Sequence, residues 1–246
     1  MNSEFANEIE AVKRILSDAK YVVFFGGAGV STESGIPDFR SNTGLYSSQN
    51  TGNEYYLSKE CLKNEPEKFY EFFRKNMIFP EVEPNGAHLA LADLEAKDIL
   101  KAVITQNVDG LHQMAGSERV IEIHGTSGRY YCTRCGKVFD EEIIHGKEVV
   151  PRCSECGGTV RPDVTLYGEA LDGFSYREAA NEILNADVLI VGGSSLKVYP
   201  AASLLDLFHG EHLIIINYSE TSYDGWAEYI IRDSLSDVLS EIVKAL

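Results

Sequence analysis

Apolar residues near the start of the chain recur first with the period of a helix and then as a continuous run. A predicted helix over residues 8–19 has one apolar face, formed by Ile9, Val12, Ile15 and Leu16. The next apolar run, Tyr21-Val-Val-Phe-Phe25, has the length of a buried strand and leads into Gly26-Gly-Ala-Gly29. The pattern predicts a helix, a buried strand and a glycine-rich loop.

Short apolar runs recur along the chain and alternate with amphipathic segments. Strands are predicted at 102–105, 120–123, 188–191 and 213–216. Helices are predicted at 87–97, at 176–185 and, closing the chain, at 235–246. Strands that are apolar throughout and alternate with helices are typical of a parallel sheet covered on both faces. The sequence therefore predicts an α/β fold.

Two stretches interrupt this alternation. Residues 46–84 are polar and aromatic, with helical spacing around Phe69 and Phe73, whereas residues 125–161 contain clustered cysteines and many turn residues. We interpret both stretches as insertions into one main sheet domain.

Composition narrows the classes of partner. The 246-residue chain is 44% hydrophobic, as in an ordinary globular protein, and carries a formal net charge of -16. An acidic surface repels phosphate backbones, so we expect no nucleic-acid partner, and a basic or neutral polypeptide fits better. The sequence has no signal-peptide pattern and no apolar run of about 18 residues, which predicts a cytoplasmic protein without a membrane span.

Four of the five cysteines form two Cys-x-x-Cys pairs that are separated by seventeen residues. This spacing is typical of two knuckles that share one zinc ion, and the predicted ligands are Cys132, Cys135, Cys153 and Cys156. Four thiolates leave no open coordination position, so the ion is predicted to stabilise the fold rather than to activate water. Cys61 is predicted to be an ordinary buried or half-buried thiol.

The glycine-rich loop after the first strand has two interpretations. Glycines let backbone N–H groups approach phosphate oxygens, but Thr32 stands where the third glycine of a Gly-x-Gly-x-x-Gly motif is expected. The loop is therefore either a phosphate-binding loop or a tight turn. The continuation Ile36-Pro-Asp-Phe-Arg40 favours the first interpretation, because its carboxylate, ring and guanidinium can meet a ribose, a base and a phosphate.

Two more polar constellations follow predicted strands. Thr105-Gln-Asn-Val-Asp-Gly-Leu-His112 begins where a strand ends, the edge at which open parallel sheets bind ligands. His124, in Ile121-Glu-Ile-His-Gly125, is placed to act as a general base near neutral pH. The alternatives are helix caps for Asn107 and Asp109 and a structural role for His124. The remaining histidines are predicted to be structural (His112) or surface and packing residues (His88, His145, His209 and His212).

Taken together, these motifs resemble the sirtuins, the Sir2-type NAD-dependent protein lysine deacylases, in the form of a bacterial catalytic core. The likeness rests on the segments 27–40, 105–112, His124-Gly125 and the paired cysteines, and extends to 161–169, 193–200 and Ile216-Asn217. The resemblance implies a Rossmann-like domain (1–45, 85–125 and 162–246). It also implies a small domain made of a helical insertion (46–84) and a zinc module (126–161), with NAD and an acetylated lysine peptide bound between the two.

The resemblance also implies roles for individual residues. His124 and Asn107 would be catalytic, and Val164, Gly168 and Glu169 would bind the substrate peptide as an added strand. The NAD-binding residues would be Ala28, Ser31, Thr32, Phe39, Arg40, Gln106, Asn107, Val108, Asp109, His124, Gly193, Ser194, Ser195, Asn217 and Leu235.

The implied reaction transfers the acetyl group from lysine to ADP-ribose and releases nicotinamide. Protein mono-ADP-ribosylation and removal of longer neutral acyl groups remain alternatives, as does an inactive zinc-ribbon adaptor. Desuccinylation is disfavoured because the Tyr-x-x-Arg pair of that branch is not matched. Tyr70 is followed three residues later by Phe73, and Arg74 is one place off. A nicotinamide dehydrogenase is disfavoured by the incomplete glycine motif.

Overall fold

A computed structural model describes residues 3–41, 44–46, 52–244 and 246. The α-helices are α1 (Ser3–Asp18), α2 (Asn53–Tyr56), α3 (Lys59–Asn64), α4 (Pro66–Asn76), α5 (Gly86–Ala96), α6 (Leu111–Met114), α7 (Gly173–Asn185) and α8 (Leu235–Val243). The strands are β1 (Val22–Gly26), β2 (Leu100–Thr105), β3 (Val120–Glu122), β4 (Gly125–Cys132), β5 (Val138–Asp140), β6 (Val160–Val164), β7 (Val188–Gly192), β8 (His212–Ile216) and β9 (Tyr229–Ile231).

Six strands form one parallel sheet in the order β3-β2-β1-β7-β8-β9. Every residue of β1 and β7 is buried, which explains why these strands are apolar throughout. Counted along the chain within this sheet, the order is 3-2-1-4-5-6, the arrangement of dinucleotide-binding folds. Successive strands are added in one direction from β1 to β3 and in the other direction from β7 to β9. Ligands are therefore expected at the carboxyl ends of β1 and β7, where the direction changes.

Helices cover both faces of the sheet because successive strand residues point to opposite sides. Phe24 faces a core shared with α1, α5 and α8, whereas Phe25 faces a second core shared with α7 and with the short 3₁₀ helix Ala201–Leu207. The predicted α/β layering is therefore confirmed.

The two interrupting stretches pack against each other. Helices α2–α4 share one apolar core with the antiparallel sheet β5-β4-β6, and this core includes Phe69, Tyr130 and Val160. Arg74 extends from α4 and donates hydrogen bonds to the carbonyl oxygens of Ile144, Glu148 and Val149 at 2.7–2.9 Å. These contacts tie the helical insertion to the cysteine-containing module.

Several predicted boundaries differ from the observed ones. Helix α1 begins five residues earlier than predicted, and strand β9 was not predicted because a three-residue run carries too little periodicity. The predicted module limits at 125/126 and 161/162 fall inside β4 and β6, whose pairing continues to Gly125 and Val164. Part of the predicted helical insertion, residues 47–51, lies outside the described residues. The division into two domains stays a prediction.

Candidate active site and metal centre

A cleft of about 480 Å³ lies at the carboxyl ends of the parallel strands and extends to the helical insertion. Its walls come from the loops after β1, β2, β3, β7, β8 and β9 and from the segment after β6. Every residue predicted to bind NAD or peptide lines this one cleft. The fold thus gathers positions up to 207 residues apart, from Ala28 to Leu235, into one site.

The floor of the cleft is formed where two glycine loops touch. The Gly29 N–H donates to the Gly193 carbonyl at 2.8 Å, and the Gly27 N–H donates to the Gly192 carbonyl at 3.3 Å. A Cβ atom at Gly29 would lie 2.7 Å from the Gly193 Cα, so no side chain fits there. The close packing of the two loops without intervening side chains, at the carboxyl end of β1, fits the phosphate-binding interpretation of the sequence.

Gln106 connects three of the loops that line the cleft. Its backbone N–H donates to the Gly26 carbonyl at 3.0 Å, and its side-chain amide donates to the Ser194 hydroxyl at 2.9 Å. Its carbonyl accepts a hydrogen bond from Nδ1 of His124 at 2.9 Å. The position of the histidine is therefore fixed relative to both glycine loops.

The surroundings of His124 favour its neutral form and select one tautomer. Burial lowers its pKa below the ordinary value, the Gln106 carbonyl opposes this shift, and the nearby Arg40 adds to it. Because a carbonyl oxygen only accepts, Nδ1 carries the proton and Nε2 keeps a free lone pair. An imidazole in this state can take up a proton from a group in the cleft.

Three polar side chains meet beside His124 on the wall formed by the β1 and β2 loops. The Ser31 hydroxyl donates to a carboxylate oxygen of Asp109 at 2.7 Å and accepts from the Asn107 amide at 3.0 Å. Ser31 is fully buried and Asn107 nearly so. The amide and the carboxylate are held in fixed orientations, which suits recognition of a carboxamide or hydroxyl group.

Two histidines that the sequence placed outside the site pack behind this wall. His88 Nδ1 accepts from the Asn85 N–H at 3.3 Å, so its Nε2–H points to the Ser31 hydroxyl at 3.5 Å. His112 stacks edge-on against His88, with the ring centroids 4.8 Å apart, and neither of its ring nitrogens has a partner among the described residues. Burial lowers the pKa of His88 to about 4 and that of His112 to about 3.

His88 is thus a packing residue, as predicted, but it also contacts the site through Ser31. The signal was present in the sequence as Asn85-x-x-His88, the spacing of a capping box with histidine in place of the usual Glu or Gln. His112 is structural, as predicted. His145 and His209 are exposed, and His212 contacts Glu228 at 2.5 Å away from the cleft.

The opposite wall begins at the end of β6. The Thr165 N–H donates to the His124 carbonyl at 2.8 Å, and Tyr167 pairs with the backbone of Leu57 and Lys59. Gly168 has a φ of 85°, a conformation that favours glycine. The predicted peptide residue Glu169 lines the cleft, and its carboxylate is engaged by Arg161 at 2.6 and 2.9 Å.

The four predicted metal ligands converge at the far end of the small sheet. All four sulfur atoms lie within 4.8 Å of one another, with Cys132 and Cys156 at 3.4 Å and Cys135 and Cys153 at 3.7 Å. Tetrahedral zinc with Zn–S bonds of about 2.3 Å requires sulfur atoms about 3.8 Å apart, so the cluster fits a zinc ion. Backbone N–H groups, first that of Cys135, lower the pKa of Cys132 to about 6, which favours the thiolate.

Comparisons with known proteins support the same chemistry. The chain is 49% identical over 241 residues to a Clostridium acetobutylicum protein named NAD-dependent protein deacetylase, a match that covers 96% of this chain and 98% of that protein. A Staphylococcus aureus protein of the same name is 43% identical over 240 residues, with 96% and 98% coverage.

Solved structures give the same result. A Sir2 mutant described with a deacetylated p53 peptide and 3′-O-acetyl ADP-ribose has a TM-score of 0.90 at 37% identity and covers 96% of this chain and 98% of its own. A Sir2 structure with a p53 peptide and NAD⁺ has a TM-score of 0.88 at 38% identity, with the same coverage. Within the described residues no helix is long and apolar enough to cross a membrane. A profile described as the Sir2 family matches residues 27–200, and together with these relatives it shows that the chain belongs to the Sir2 family.

Proposed function

We propose that this chain is an NAD-dependent protein lysine deacetylase that transfers the acetyl group from lysine to ADP-ribose and releases nicotinamide and O-acetyl-ADP-ribose. Its relatives bear the name of this activity at 43–50% identity over at least 96% of the chain. Sir2 structures with an acetylated peptide support acetylated proteins as the substrates. Four clustered thiols need a reducing compartment, which supports the cytoplasm as the place of action.

The observation that carries the proposal is the state of His124 in the cleft. With Nδ1–H held by the Gln106 carbonyl, the Nε2 lone pair is the proton acceptor of the site. A ribose hydroxyl that loses its proton to Nε2 attacks the acetyl carbon, the bond from that carbon to the lysine nitrogen breaks, and the nitrogen leaves as the free amine. The overall transfer, in which nicotinamide leaves the ribose, consumes one water. Because burial lowers the pKa of His124, the acceptor stays unprotonated at neutral pH.

Asn107 and Asp109 are assigned to the nicotinamide end of the cleft. Their shared partner Ser31 prevents either side chain from rotating freely. A fixed amide and a fixed carboxylate can hold the nicotinamide in an orientation that does not stabilise its bond to ribose, so that this bond breaks more easily. The glycine loops and Gly193, Ser194, Ser195 and Asn217 are assigned to the rest of NAD.

Zinc is assigned no step in the reaction. The cysteine cluster lies at one end of the small sheet. At the other end, β4 begins directly after His124 and β6 ends at Val164. When bound, zinc would cross-link the two Cys-x-x-Cys knuckles and make the small sheet more rigid. The small sheet in turn supports the wall that we assign to the peptide.

The surroundings of Arg74 argue against removal of acidic acyl groups. All three donors of its guanidinium that point toward the module are used by backbone carbonyls of Ile144, Glu148 and Val149. Arg74 is therefore not free to grip a carboxylate in the cleft. This geometry agrees with the sequence argument against desuccinylation.

A second candidate activity is supported by the apolar wall of the cleft. Leu57 and Leu166 belong to the buried core of the small unit and also line the cleft, as do Phe39 and Met77 at its border. An aliphatic chain longer than acetyl would bury apolar surface there. Removal of longer neutral acyl groups is accordingly the alternative substrate range of the same site.

The direct test uses an acetyl-lysine peptide and NAD, with free lysine, nicotinamide and O-acetyl-ADP-ribose measured together by mass spectrometry. We expect the three products in equal amounts, and parallel reactions with butyryl, octanoyl and succinyl peptides define the acyl range. Nicotinamide release without deacetylation, accompanied by ADP-ribose on a protein, would favour mono-ADP-ribosylation instead.

His124→Ala separates the proposed chemistry from structural effects. We expect loss of deacetylation with zinc content and unfolding temperature close to those of the parent. The matched control is His209→Ala, which removes an exposed imidazole outside the cleft and should leave turnover unchanged. Full turnover by the His124 variant would refute the assigned role.

A further inference from the structure

The loop after β7 brings a second backbone edge to the end of the cleft that we assign to the peptide. Lys197, Val198 and Tyr199 belong to this loop and line the same cleft as residues 165–169. Leu196 anchors the edge, because its side chain is buried in the second core with 2% exposure and its backbone has a φ of 53°. The three residues that follow it are therefore held at the border of the cleft.

His124 connects the two segments. The Thr165 N–H donates to the His124 carbonyl at 2.8 Å, and Gln106 joins the His124 ring to the β7 loop. An acetylated lysine that reaches His124 must therefore enter between the two segments. The backbone of the peptide then lies between residues 165–168 and residues 197–199.

Both segments present backbone groups that can pair with such a peptide. Among the described residues, no hydrogen bond engages the N–H groups of Lys197, Val198 and Tyr199 or that of Gly168 on the facing segment. Unpaired groups of this kind are a template on which an extended chain adds main-chain hydrogen bonds. Main-chain pairing gives affinity without reading the sequence of the peptide, so selectivity must come from side chains next to it.

Lys197 is well placed to contact the residues on either side of the acetyl-lysine. The side chains of Lys197 and Tyr199 are exposed, whereas Val198 between them is half-buried. In an extended peptide, successive side chains point to opposite sides. When the acetyl-lysine points into the cleft, its two neighbours point out of it, to the side on which the Lys197 ammonium group lies.

The charge of Lys197 is not compensated within the part of the chain that the structure describes, where no carboxylate forms an ion pair with it. The other charged side chains at this end are engaged. Glu169 is held by Arg161, and Arg40 forms an ion pair with Glu54 at 3.6 Å. Lys197 therefore presents an available positive charge beside the peptide, although the protein as a whole has a formal net charge of -16.

We propose that Lys197 reads the charge of the residues next to the acetyl-lysine and makes the protein favour substrates that carry an acidic residue there. This inference rests on the proposed function in placing the acetylated peptide between the two segments. The acidic protein surface would by itself attract basic substrates, so the local preference is opposite in sign to that expected from net charge. Substitution can separate the two effects.

The expected size of the effect follows from that of an exposed ion pair, which strengthens binding about threefold, while a like-charge pair weakens it by a similar factor. Lys197→Gln removes both the attraction for an acidic neighbour and the repulsion of a basic one. The affinity for an Asp-flanked peptide relative to an Arg-flanked peptide should therefore fall about tenfold. Lys197→Glu reverses both interactions and should lower this ratio about a hundredfold.

Lys20→Gln and Lys20→Glu are the matched controls. Lys20 is exposed, directly precedes the β1 region and lies outside the cleft, at the end of the sheet opposite to it. These variants change the net charge by the same amount as the Lys197 variants do. They therefore report the effect of net charge alone, and we expect them to keep the ratio of the parent.

The test measures dissociation constants by fluorescence anisotropy for three labelled acetyl-lysine peptides, which carry Asp, Ala or Arg on both sides of the acetyl-lysine. Raising the ionic strength from about 0.05 M to about 0.5 M should reduce the difference between the parent and the Lys197 variants. The same Asp-to-Arg ratio in the Lys197 and Lys20 variants would overturn the inference.

Binding and turnover report on different claims. If the Lys197 variants shift the peptide affinities as expected but no peptide is deacetylated with NAD, the proposed function fails and the inference stands. If all three peptides are deacetylated and the Lys197 variants keep the parent's ratios of Kd and kcat/KM, the inference fails and the proposed function stands. Absence of binding by all three peptides would overturn both.

Discussion

Gly193→Ala tests whether the contact between the two glycine loops shapes the cleft. Gly193 has a φ of 59°, and left-handed backbone costs a residue with a Cβ about 1–2 kcal/mol. The new Cβ would also lie 2.6 Å from the carbonyl carbon of Gly29 and close to the Val30 nitrogen. Backbone atoms have no rotamer to change, so the loops must separate.

Separation of the loops breaks the two hydrogen bonds that Gly27 and Gly29 donate across the β1–β7 junction. Each such bond contributes about 1 kcal/mol net, so the total loss of unfolding free energy is about 3–4 kcal/mol. Gly116→Ala is the control, since Gly116 has a φ of 103° but nothing within 4 Å of its Cβ position. That variant bears only the conformational cost of about 1–2 kcal/mol.

Equilibrium urea unfolding of both variants gives the difference between their free energies of unfolding, and NAD titration shows whether the cleft is altered. We expect Gly193→Ala to lose about 2 kcal/mol more than Gly116→Ala and to bind NAD more weakly than the parent. Equal destabilisation of the two variants would refute the claim that the loop contact matters beyond glycine's backbone freedom.

Three further predictions concern the imidazoles and the metal. Because burial lowers the pKa of His124, kcat/KM should stay high below pH 6.5 and fall only at more acidic pH; an acid limb above pH 6.5 would contradict this. In the unfolded chain, the imidazole of His112 is protonated below about pH 6.5, but the folded protein keeps it neutral down to about pH 3. The free energy of unfolding therefore decreases as the pH is lowered below about 6.5. His112→Phe should remove about 2 kcal/mol of the loss between pH 6.5 and 5, measured by urea unfolding; an unchanged slope would exclude His112 as its source. Chelation of zinc, or Cys153→Ser, should abolish peptide deacetylation while ADP-ribose still binds by calorimetry, because the residues that we assign to the adenosine half of NAD follow strands of the six-stranded sheet. Loss of both deacetylation and ADP-ribose binding would contradict separate support of the two walls of the cleft.

The features that sequence predicts well are those encoded locally. The buried strand at 22–26, the glycines after it and the cysteine spacing each lie within a short window whose pattern has one physical meaning. The carboxyl-end rule for parallel sheets then places Asn107 and His124 at one edge before any coordinates are known.

The features that sequence missed depend on distant pairs. Glu33 and Ser234 are 201 positions apart, and Ser31 and His88 are 57 apart, so no periodicity links them. The hydrogen bonds from Arg74 to backbone carbonyls could not be predicted either, because every residue has a backbone carbonyl and the sequence does not indicate which of them accepts. These contacts arise only once the sheet order is fixed.

Sheet order also explains why the four clustered cysteines lie outside the cleft that contains His124. Both insertions leave the main sheet at its carboxyl edge, one between β1 and β2 and the other after β3. They therefore rise on the same side as the glycine loops and form the wall opposite to them. That wall has a small core of its own, and a closed four-cysteine site gives such a unit the rigidity that its size cannot supply. The position of zinc follows from where the chain could insert a second wall without breaking the parallel sheet.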